Sequence, residues 1–257
     1  MQKYSGGQIH KGTYLYGKNP LEEAFLYAKR KGVMPIEELC FTKSAEADPR
    51  IMSLVQSNKI TYKIVTQSEI ESIVGRDAVH QGILARLSDK TLYTSLEEVL
   101  KIVASKERPL FVLLDELQDP HNVGAIIRSA VAFGADAVLM PEHNQTQITG
   151  TVIKSSAGAV FNIPIVRIGN INTTLLQLQE KGYWIYGLTG DGDTSLTSTS
   201  FDAPSVIVVG SEGEGIAKKT LEHCDFKLSI PIDPNCESLN ASNAIAVTLY
   251  EFRKQQK

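Results

Sequence analysis

Between residues 110 and 230 the chain alternates short apolar runs with segments of helix length, which restricts the fold more than any other feature. The clearest run, Leu110-Phe-Val-Leu-Leu114, precedes Asp115 and is typical of a strand buried on both faces of a parallel sheet. Further candidate strands are 137–140, 163–166, 184–188, 206–209 and 227–230. Candidate helices between them are 123–133, 147–157, 173–181, 215–223 and 241–254. The alternation predicts an α/β domain with a parallel sheet and helices on both faces.

The preceding residues predict a second, smaller α/β unit. Short candidate strands alternate there with candidate helices; the strands are 39–42, 63–65 and 82–85, and the helices are 20–31, 49–57 and 67–74. The polar, Gly-rich start predicts a flexible arm, and the charged stretch before Leu110 predicts a linker. The expected organisation is therefore an arm at 1–13, a small domain at 14–88, a linker at 89–108 and a large domain at 109–257.

Charge and cysteine content limit the partners and the cellular compartment that we expect for this chain. The net charge of −3 argues against non-specific coating of nucleic acid, but residues 1–63 carry ten basic and six acidic side chains. That excess fits either a local nucleic-acid patch or an ordinary solvated face. Three scattered cysteines fit neither a disulfide framework nor a metal site. With no signal-peptide core and no membrane-length apolar run, we expect a cytoplasmic protein without a membrane partner.

The first polar segment with chemical potential is Asn122-Val-Gly-Ala-Ile-Ile-Arg128, which follows a strand and begins a helix. Asn122 is suited to cap that helix, and Arg128 to an ordinary surface position. The residues around Arg128 are mostly apolar, however, so we expect its side chain to be partly sheltered and directed at a ligand.

The second segment, Gly210-Ser-Glu-Gly-Glu-Gly215, follows the candidate strand 206–209. Ligands of α/β proteins bind outside the carboxyl ends of strands, so this turn is a candidate site as well as a plain tight turn. It matches neither a P-loop nor the dinucleotide fingerprint. Glu212 and Glu214 would repel a pyrophosphate, which favours a ligand without phosphate, cationic or hydroxyl-bearing.

The third segment, Glu237-Ser-Leu-Asn240, ends a proline-containing loop and precedes the last helix. Ser238 or Asn240 is suited to cap that helix, and free backbone N–H groups at a helix start can also meet a ligand. Elsewhere, we expect His80 to be structural or RNA-facing, and the single tryptophan, Trp184, to fill the core.

Together the three segments resemble the three motifs of the TrmH-like ribose 2′-O-methyltransferases of the SPOUT superfamily. The similarity extends to the segments 78–86, 119–124 and 222–225, and that wider set resembles the bacterial enzymes that methylate a guanosine ribose of large-subunit (23S) rRNA. It covers residues 14–255. The resemblance implies an N-terminal RNA-binding domain of ribosomal-protein type and a C-terminal SPOUT domain with a deep trefoil knot. It also implies a homodimer formed by the C-terminal domain.

The same resemblance assigns residues. S-adenosylmethionine (SAM) is the implied methyl donor, without a metal, and RNA, as rRNA or a pre-ribosomal particle, is the implied partner. The implied catalytic and substrate-positioning residues are Asn122, Arg128, Glu212, Ser238 and Asn240. The implied cofactor-binding residues are Leu188, Thr189, Gly210, Gly213, Ile230, Ile232 and Leu239. Many relatives have glycine where this chain has Pro234, which has no N–H to donate in the cofactor loop.

Three alternatives stay open. The target could be a tRNA ribose or another rRNA position. The chain could be a non-catalytic RNA-binding factor of ribosome assembly, although it retains the implied catalytic set. An enzyme with a nucleotide cofactor is disfavoured because no phosphate-binding motif is present.

The role of Arg128 also stays open: its side chain could act as the base or as a clamp for an RNA phosphate.

Overall fold

The computed structural model describes residues 12–46 and 48–256, which form two compact units. The first unit comprises the described residues up to Leu92 together with Ile148–Asn162, and the second comprises Tyr93–Gln147 and the described residues from Ile163 onward. The predicted flexible arm lies outside the described residues except for Gly12 and Thr13. Segment Ile148–Asn162 thus joins the first unit despite its place in the chain, and the functional division at 88 and 108 stays a prediction.

The elements are numbered along the chain. The described strands are β1 (Thr13–Tyr16), β2 (Ile36–Phe41), β3 (Tyr62–Ile64), β4 (Ile83–Leu87), β5 (Leu110–Leu114), β6 (Ala137–Pro141), β7 (Ile165–Ile168), β8 (Trp184–Leu188), β9 (Thr194–Ser195), β10 (Ser205–Val209) and β11 (Phe226–Ser229). The described α-helices are α1 (Lys18–Lys31), α2 (Lys43–Glu46), α3 (Pro49–Ser57), α4 (Gln67–Val74), α5 (Asp89–Leu92), α6 (Leu96–Val103), α7 (Pro120–Phe133), α8 (Gly150–Ser155), α9 (Ile171–Gln179), α10 (Lys218–Leu221) and α11 (Ala241–Lys254). Two short 3₁₀ helices cover Ala159–Asn162 and Leu196–Ser198.

The first unit is built on a four-stranded mixed sheet in the order β1-β4-β2-β3. Strand β4 pairs antiparallel with both β1 and β2, whereas β2 and β3 are parallel. Tyr16, Cys40 and Leu84 from this sheet pack with Ile70 of α4 in one buried cluster. Helix α4 begins with a reciprocal capping box between Thr66 and Glu69, which explains why its start was readable from the sequence.

The second unit is built on a seven-stranded sheet in the order β7-β6-β5-β10-β8-β11-β9. Every adjacent pair is parallel, as predicted. The chain fills the sheet from β5 outward to β7 and then crosses to the other side of β5. Strand order therefore reverses beside β5 and β10, and ligands of open parallel sheets bind at such a point, outside the carboxyl ends of the strands.

Both faces of this second sheet are covered by helices. Phe111 and Leu113 of β5 pack in one apolar cluster with Val99 of α6 and Leu175 of α9. The alternating residue Val112 points to the other face and is also fully buried. Helix α11 packs against α7 and contacts β10. Full burial on both faces explains why the central strands read as unbroken apolar runs.

Several local expectations were wrong. Trp184 does not fill the core: it is 46% exposed at the start of β8, where its ring packs beside Phe226. The stretch 194–200, for which no element was predicted, contains β9 and a 3₁₀ turn. The short pieces β1, α2 and α5 were not anticipated. Across the described ranges 12–46 and 48–256, no helix is long and apolar enough to cross a membrane.

Candidate active site

A cavity of about 870 Å³ opens at the carboxyl ends of β8, β10 and β11. Because these strands are neighbours in a parallel sheet, the segments that follow them meet at one edge. Those segments, numbered 188–191, 210–216 and 230–239, line the cavity. The second and third predicted polar segments thus contribute to one concave surface.

Three polar side chains from distant parts of the chain meet beside this cavity. Asn122 Nδ2 donates a hydrogen bond to Glu212 Oε1 at 2.8 Å, and Asn240 Nδ2 also donates to that oxygen. The Asn240 amide lies 3.1 Å from Asn122 Oδ1 as well. Glu212 Oε2 has no hydrogen-bond partner within the described part of the chain. The cluster therefore holds a carboxylate by one oxygen and leaves the other available to accept a hydrogen bond from a ligand.

Asn122 does not cap α7, contrary to expectation. Asp119 is the N-cap: its side chain accepts a hydrogen bond from His121 N at 2.9 Å, and Pro120 occupies the first helical turn. Asn122 therefore is the third residue of the helix, within its first turn, where it is 7% exposed and its amide is available to Glu212. Proline after Asp119 was the signal that the cap came earlier.

Asn240, by contrast, caps α11 and joins the cluster at the same time. Its Oδ1 accepts hydrogen bonds from Ser242 N at 2.8 Å and Ser242 Oγ at 2.6 Å, while its Nδ2 faces Glu212 and Asn122. The Asn240 side chain thus caps α11 through its oxygen, and its nitrogen holds the Glu212 carboxylate. Capping and a role at the site, which the sequence posed as alternatives, are compatible here.

The Gly-rich segment closes on itself. Ser211 and Gly215 exchange two backbone hydrogen bonds of 3.0 Å, which leaves Glu212 at the tip of a small ring. A Cβ on Gly210 would overlap the backbone of Gly215, and Gly215 has a left-handed φ of 69°. Both glycines are therefore needed for a ring this tight, whereas a Cβ on Gly213 would meet open space.

Asp115, which the sequence did not single out as a site residue, anchors the far end of this ring. Its side chain is 1% exposed and Oδ2 accepts a hydrogen bond from Ala217 N at 2.9 Å. Burial raises the pKa of Asp115, whereas the hydrogen bonds from Ala217 and the Thr220 hydroxyl oppose that shift. A lone acidic residue after five apolar ones at the end of a central strand was the available signal.

The cavity lining is acidic. Its charged residues are Asp191, Glu212, Glu214, Asp233 and Glu237, and no Lys or Arg belongs to the described lining. Thr189 adds a buried hydroxyl oxygen without a hydrogen-bond partner in the described ranges. Such a surface suits a ligand that carries positive charge and hydroxyl groups, and it disfavours a phosphate-bearing one.

The implied site residues divide into three groups. Glu212, Ser238 and the residues implied to bind the cofactor line the cavity: Leu188, Thr189, Gly210, Gly213, Ile230, Ile232 and Leu239. Asn122 and Asn240 reach the site through Glu212. Arg128 forms the third group, because it neither lines the cavity nor contacts Glu212. The expectation that its side chain is sheltered was wrong. It is exposed on α7 because Ile126, Ile127 and Ala130 form the face turned to the core.

Comparison with known proteins adds independent findings. The SpoU rRNA Methylase family model matches residues 109–250, and a model of the RNA 2′-O ribose methyltransferase substrate-binding region matches residues 14–93. A 23S rRNA (guanosine-2′-O-)-methyltransferase, RlmB, from Xanthomonas campestris is 41% identical over 71% of this chain and 74% of its own length.

Two further comparisons concern coverage and fold. An uncharacterized tRNA/rRNA methyltransferase of Synechocystis is 34% identical over 88% of this chain, which spans 59% of that relative's length. The SpoU methyltransferase AviRb from Streptomyces viridochromogenes, crystallised with AdoMet, is similar with a TM-score of 0.80. That alignment covers 95% of this chain and 89% of AviRb at 22% identity, so the likeness concerns the fold.

Proposed function

Since the chain belongs to the SpoU (TrmH-like) family of RNA ribose 2′-O-methyltransferases, we propose that it transfers a methyl group from SAM to a ribose 2′-hydroxyl of large-subunit rRNA. The preferred target is a guanosine. One observation carries the proposal: Asn122 and Asn240 hold Glu212 at the tip of a closed ring beside an acidic cavity. Structural needs of α7 and α11 do not explain this convergence, because Asp119 alone caps α7 and Ser242 is enough to engage the Asn240 oxygen.

The lining fits SAM, which when bound supplies an electrophilic methyl group on a positively charged sulfonium. The absence of Lys and Arg from the described lining suits a cationic ligand, and the unpartnered Thr189 hydroxyl is available to a polar group. Gly210 and Gly213 allow close approach of a ligand to the backbone, with Ile230, Ile232 and Leu239 as apolar contacts. Leu188 and Thr189 would complete the cofactor contacts.

The chemistry requires that a hydroxyl lose its proton as its oxygen attacks the methyl carbon. Glu212 Oε2 is suited to accept a hydrogen bond from that hydroxyl, while Asn122 and Asn240 fix the carboxylate through Oε1. Ser238, which is exposed on the cavity wall, is suited to contact the nucleotide. These residues act by orientation, which contributes strongly when two substrates must be aligned.

Arg128 is proposed as an RNA contact essential to methyl transfer. It is exposed and, in residues 12–46 and 48–256, its guanidinium has no hydrogen-bond or ion-pair partner. A guanidinium in water carries a positive charge and fits a phosphate with two parallel hydrogen bonds. The exposure therefore favours the phosphate clamp over the base as its role.

The decisive experiment combines binding with product mapping. Calorimetry with SAM, followed by transfer of a radiolabelled methyl group to in vitro transcribed 23S rRNA and to total tRNA, tests donor and acceptor separately. We expect SAM binding and a 2′-O-methylguanosine in the 23S transcript. Labelled tRNA would shift the proposal to that target. A protein that binds rRNA but not SAM would instead be a non-catalytic assembly factor.

Three finer features belong to this proposal. We propose a trefoil knot in the C-terminal domain, supported by the insertion of β10 between β5 and the earlier strand β8 and by the return of Asn240 to Asn122. We propose a homodimer through α7 and α11, whose outer face includes Val247 (43% exposed) and Tyr250 (59% exposed). The rRNA substrate implies activity in the cytoplasm. An experimental chain trace, the molar mass in solution and cell fractionation test these in turn.

A further inference from the structure

A second cavity lies within the first unit, separate in the chain from the residues of the candidate active site. It is a shallow cavity, open to solvent, with a volume of about 610 Å³. Its polar lining comes from Lys18 at the start of α1, Ser44 of α2, Asp48 and Arg50 at the start of α3, and Gln81 before β4. Nothing in the proposed methyl transfer uses these side chains.

The Gln81 side chain is held in place from both ends. Its backbone has a left-handed φ of 54°, and its Oε1 accepts a hydrogen bond from Lys18 N at 2.9 Å. The next residue, Gly82, also has a left-handed φ, and a Cβ there would overlap the Thr42 hydroxyl. Buried His80 accepts the Gly82 N–H through Nδ1 at 3.1 Å. The amide is therefore positioned before any ligand arrives, with its Nε2 not engaged by any described residue.

Charged groups of both signs face the cavity. Lys18 Nζ lies 2.6 Å from Asp48 Oδ2, and this hydrogen bond holds the pKa of Asp48 below its usual value. Asp48 Oδ1 accepts from Arg50 N at 3.0 Å as the cap of α3. The Arg50 guanidinium is exposed and forms no hydrogen bond or ion pair with the described residues. The cavity therefore offers an uncommitted cation at its rim and the exposed Gln81 amide, whose Nε2 is available to donate. Ser44 Oγ and the Asp48 oxygens, which already hydrogen-bond to Thr42, Lys18 and Arg50 N, can accept a further hydrogen bond through their remaining lone pairs.

That combination matches the parts of one unstacked nucleotide. Specific RNA recognition uses bases splayed out of single-stranded segments and hydrogen-bonded along their edges, with phosphates held by arginine. A ribose or base edge presents both donors and acceptors, which Gln81, Ser44 and Asp48 complement. A bare phosphate would leave the Gln81 amide without use, and an apolar peptide would cover the Lys18–Asp48 ion pair and the unengaged Gln81 Nε2 and remove them from water.

Resting on the methyltransferase function proposed above, we propose that this cavity is a nucleotide subsite for the RNA substrate, with Arg50 on the phosphate and Gln81 on the base edge. With this subsite, the region that matches the substrate-binding family model would hold RNA through a defined nucleotide contact, in addition to general charge attraction. It also assigns the left-handed turn at Gln81 and Gly82 a purpose that sheet pairing alone does not give it.

The test uses the full chain and in vitro transcribed 23S rRNA as the probe. Arg50→Gln removes the rim cation, and Lys29→Gln removes an equally exposed cation eleven residues further along α1 from Lys18, about 16 Å away. We expect Arg50→Gln to weaken rRNA binding by about fivefold or more and to reduce the salt slope of binding by about one. Lys29→Gln should change binding less than twofold, roughly the effect of an uninvolved surface charge.

A second variant separates base reading from charge. Gln81→Asn preserves an amide at a position where asparagine tolerates the left-handed backbone, but the side chain is shorter. It should reduce discrimination between 23S rRNA and a shuffled transcript while leaving the salt slope unchanged. Equal rRNA affinities for Arg50→Gln, Lys29→Gln and the unmodified chain, with normal SAM binding, would overturn the subsite. Loss of SAM binding by the unmodified chain would overturn the methyltransferase proposal instead.

Discussion

At the scale of one residue, Asp115 connects the end of β5 to the segment after the glycine ring through its hydrogen bond from Ala217 N. Its titration predicts the direction in which stability changes with pH. Burial raises its pKa above 3.8, so the folded chain takes up a proton at a pH where the unfolded chain does not. The free energy of unfolding contributed by Asp115 therefore rises as pH falls from neutral through the folded-state pKa, in a window above pH 3.8.

The variant Asp115→Asn tests that sign because it retains an acceptor for Ala217 N–H without a titratable charge. Relative to the unmodified chain, its stability should be greatest near neutral pH and should decline as acidity increases, by about 1.4 kcal/mol for each unit of pKa shift. Urea unfolding at several pH values measures the difference, with Glu180→Gln as control, because Glu180 is exposed and does not contribute to the Asp115 shift. A pH-independent difference would contradict the assignment.

Among the implied catalytic residues, Arg128 alone neither lines the cavity nor hydrogen-bonds to the Asn122–Glu212–Asn240 cluster. Arg128→Ala should lower the rate of methyl transfer by about a hundredfold or more, because a misplaced ribose loses its alignment. SAM affinity measured by calorimetry should stay unchanged, since the residue does not line the cavity. Arg128→Lys distinguishes the roles: substantial activity would agree with simple charge attraction, whereas a loss equal to alanine's would require the guanidinium fork.

At the scale of elements, closure of the ring 210–215 depends on Gly210 and does not depend on Gly213. Gly210→Ala places a methyl group against the Gly215 backbone and should abolish SAM binding. Gly213→Ala adds the same group in the same ring where nothing lies within 4 Å, and should leave the ring closed. Calorimetry on both variants provides the comparison, with thermal melting as a check of folding. Equal affinities would show that ring closure is not required.

The sequence predicted elements best where one strong signal dominated. Helix α11 matched its predicted range because Asn240 caps it and its apolar spacing is regular, and β5 matched because five buried residues leave few alternatives. Predictions failed where tertiary context decided. The strand β1 is only four residues long and is fixed by pairing with β4. Trp184 is exposed because it occupies the N-terminal end of β8, a position that composition does not encode.

The same limit applied to the candidate site. The three polar segments could be recognised from residue types and order, but their hydrogen bonds depend on a strand order that reverses beside β5. Neither the role of Asp115 nor the exposure of Arg128 follows from local pattern. Asp115 depends on the chain after β10 returning to the end of β5, and Arg128 depends on which face of α7 meets the core. Segment Ile148–Asn162 joined the first unit for a similar, non-local reason.

At the scale of the whole molecule, the proposed dimer should depend on the outer face of α11. Tyr250→Glu places a charge where an exposed aromatic ring contacts Phe133, and should convert the protein to a monomer. Leu176→Glu is the matched control, since Leu176 is 48% exposed on α9, outside the proposed interface. Light scattering after size-exclusion chromatography gives both molar masses. A dimeric Tyr250→Glu, or a monomeric unmodified chain, would count against this interface.

The hydrogen bonds among Asn122, Glu212 and Asn240 span 118 positions of the chain. A ribosome translating this message thus adds the second of the two amides long after the first is available. A nascent chain interrupted before position 240 would carry the central strands and the glycine ring, yet Glu212 would lack one of its two donors. We therefore expect methylating competence to arise late in synthesis, and prematurely terminated products to be inert.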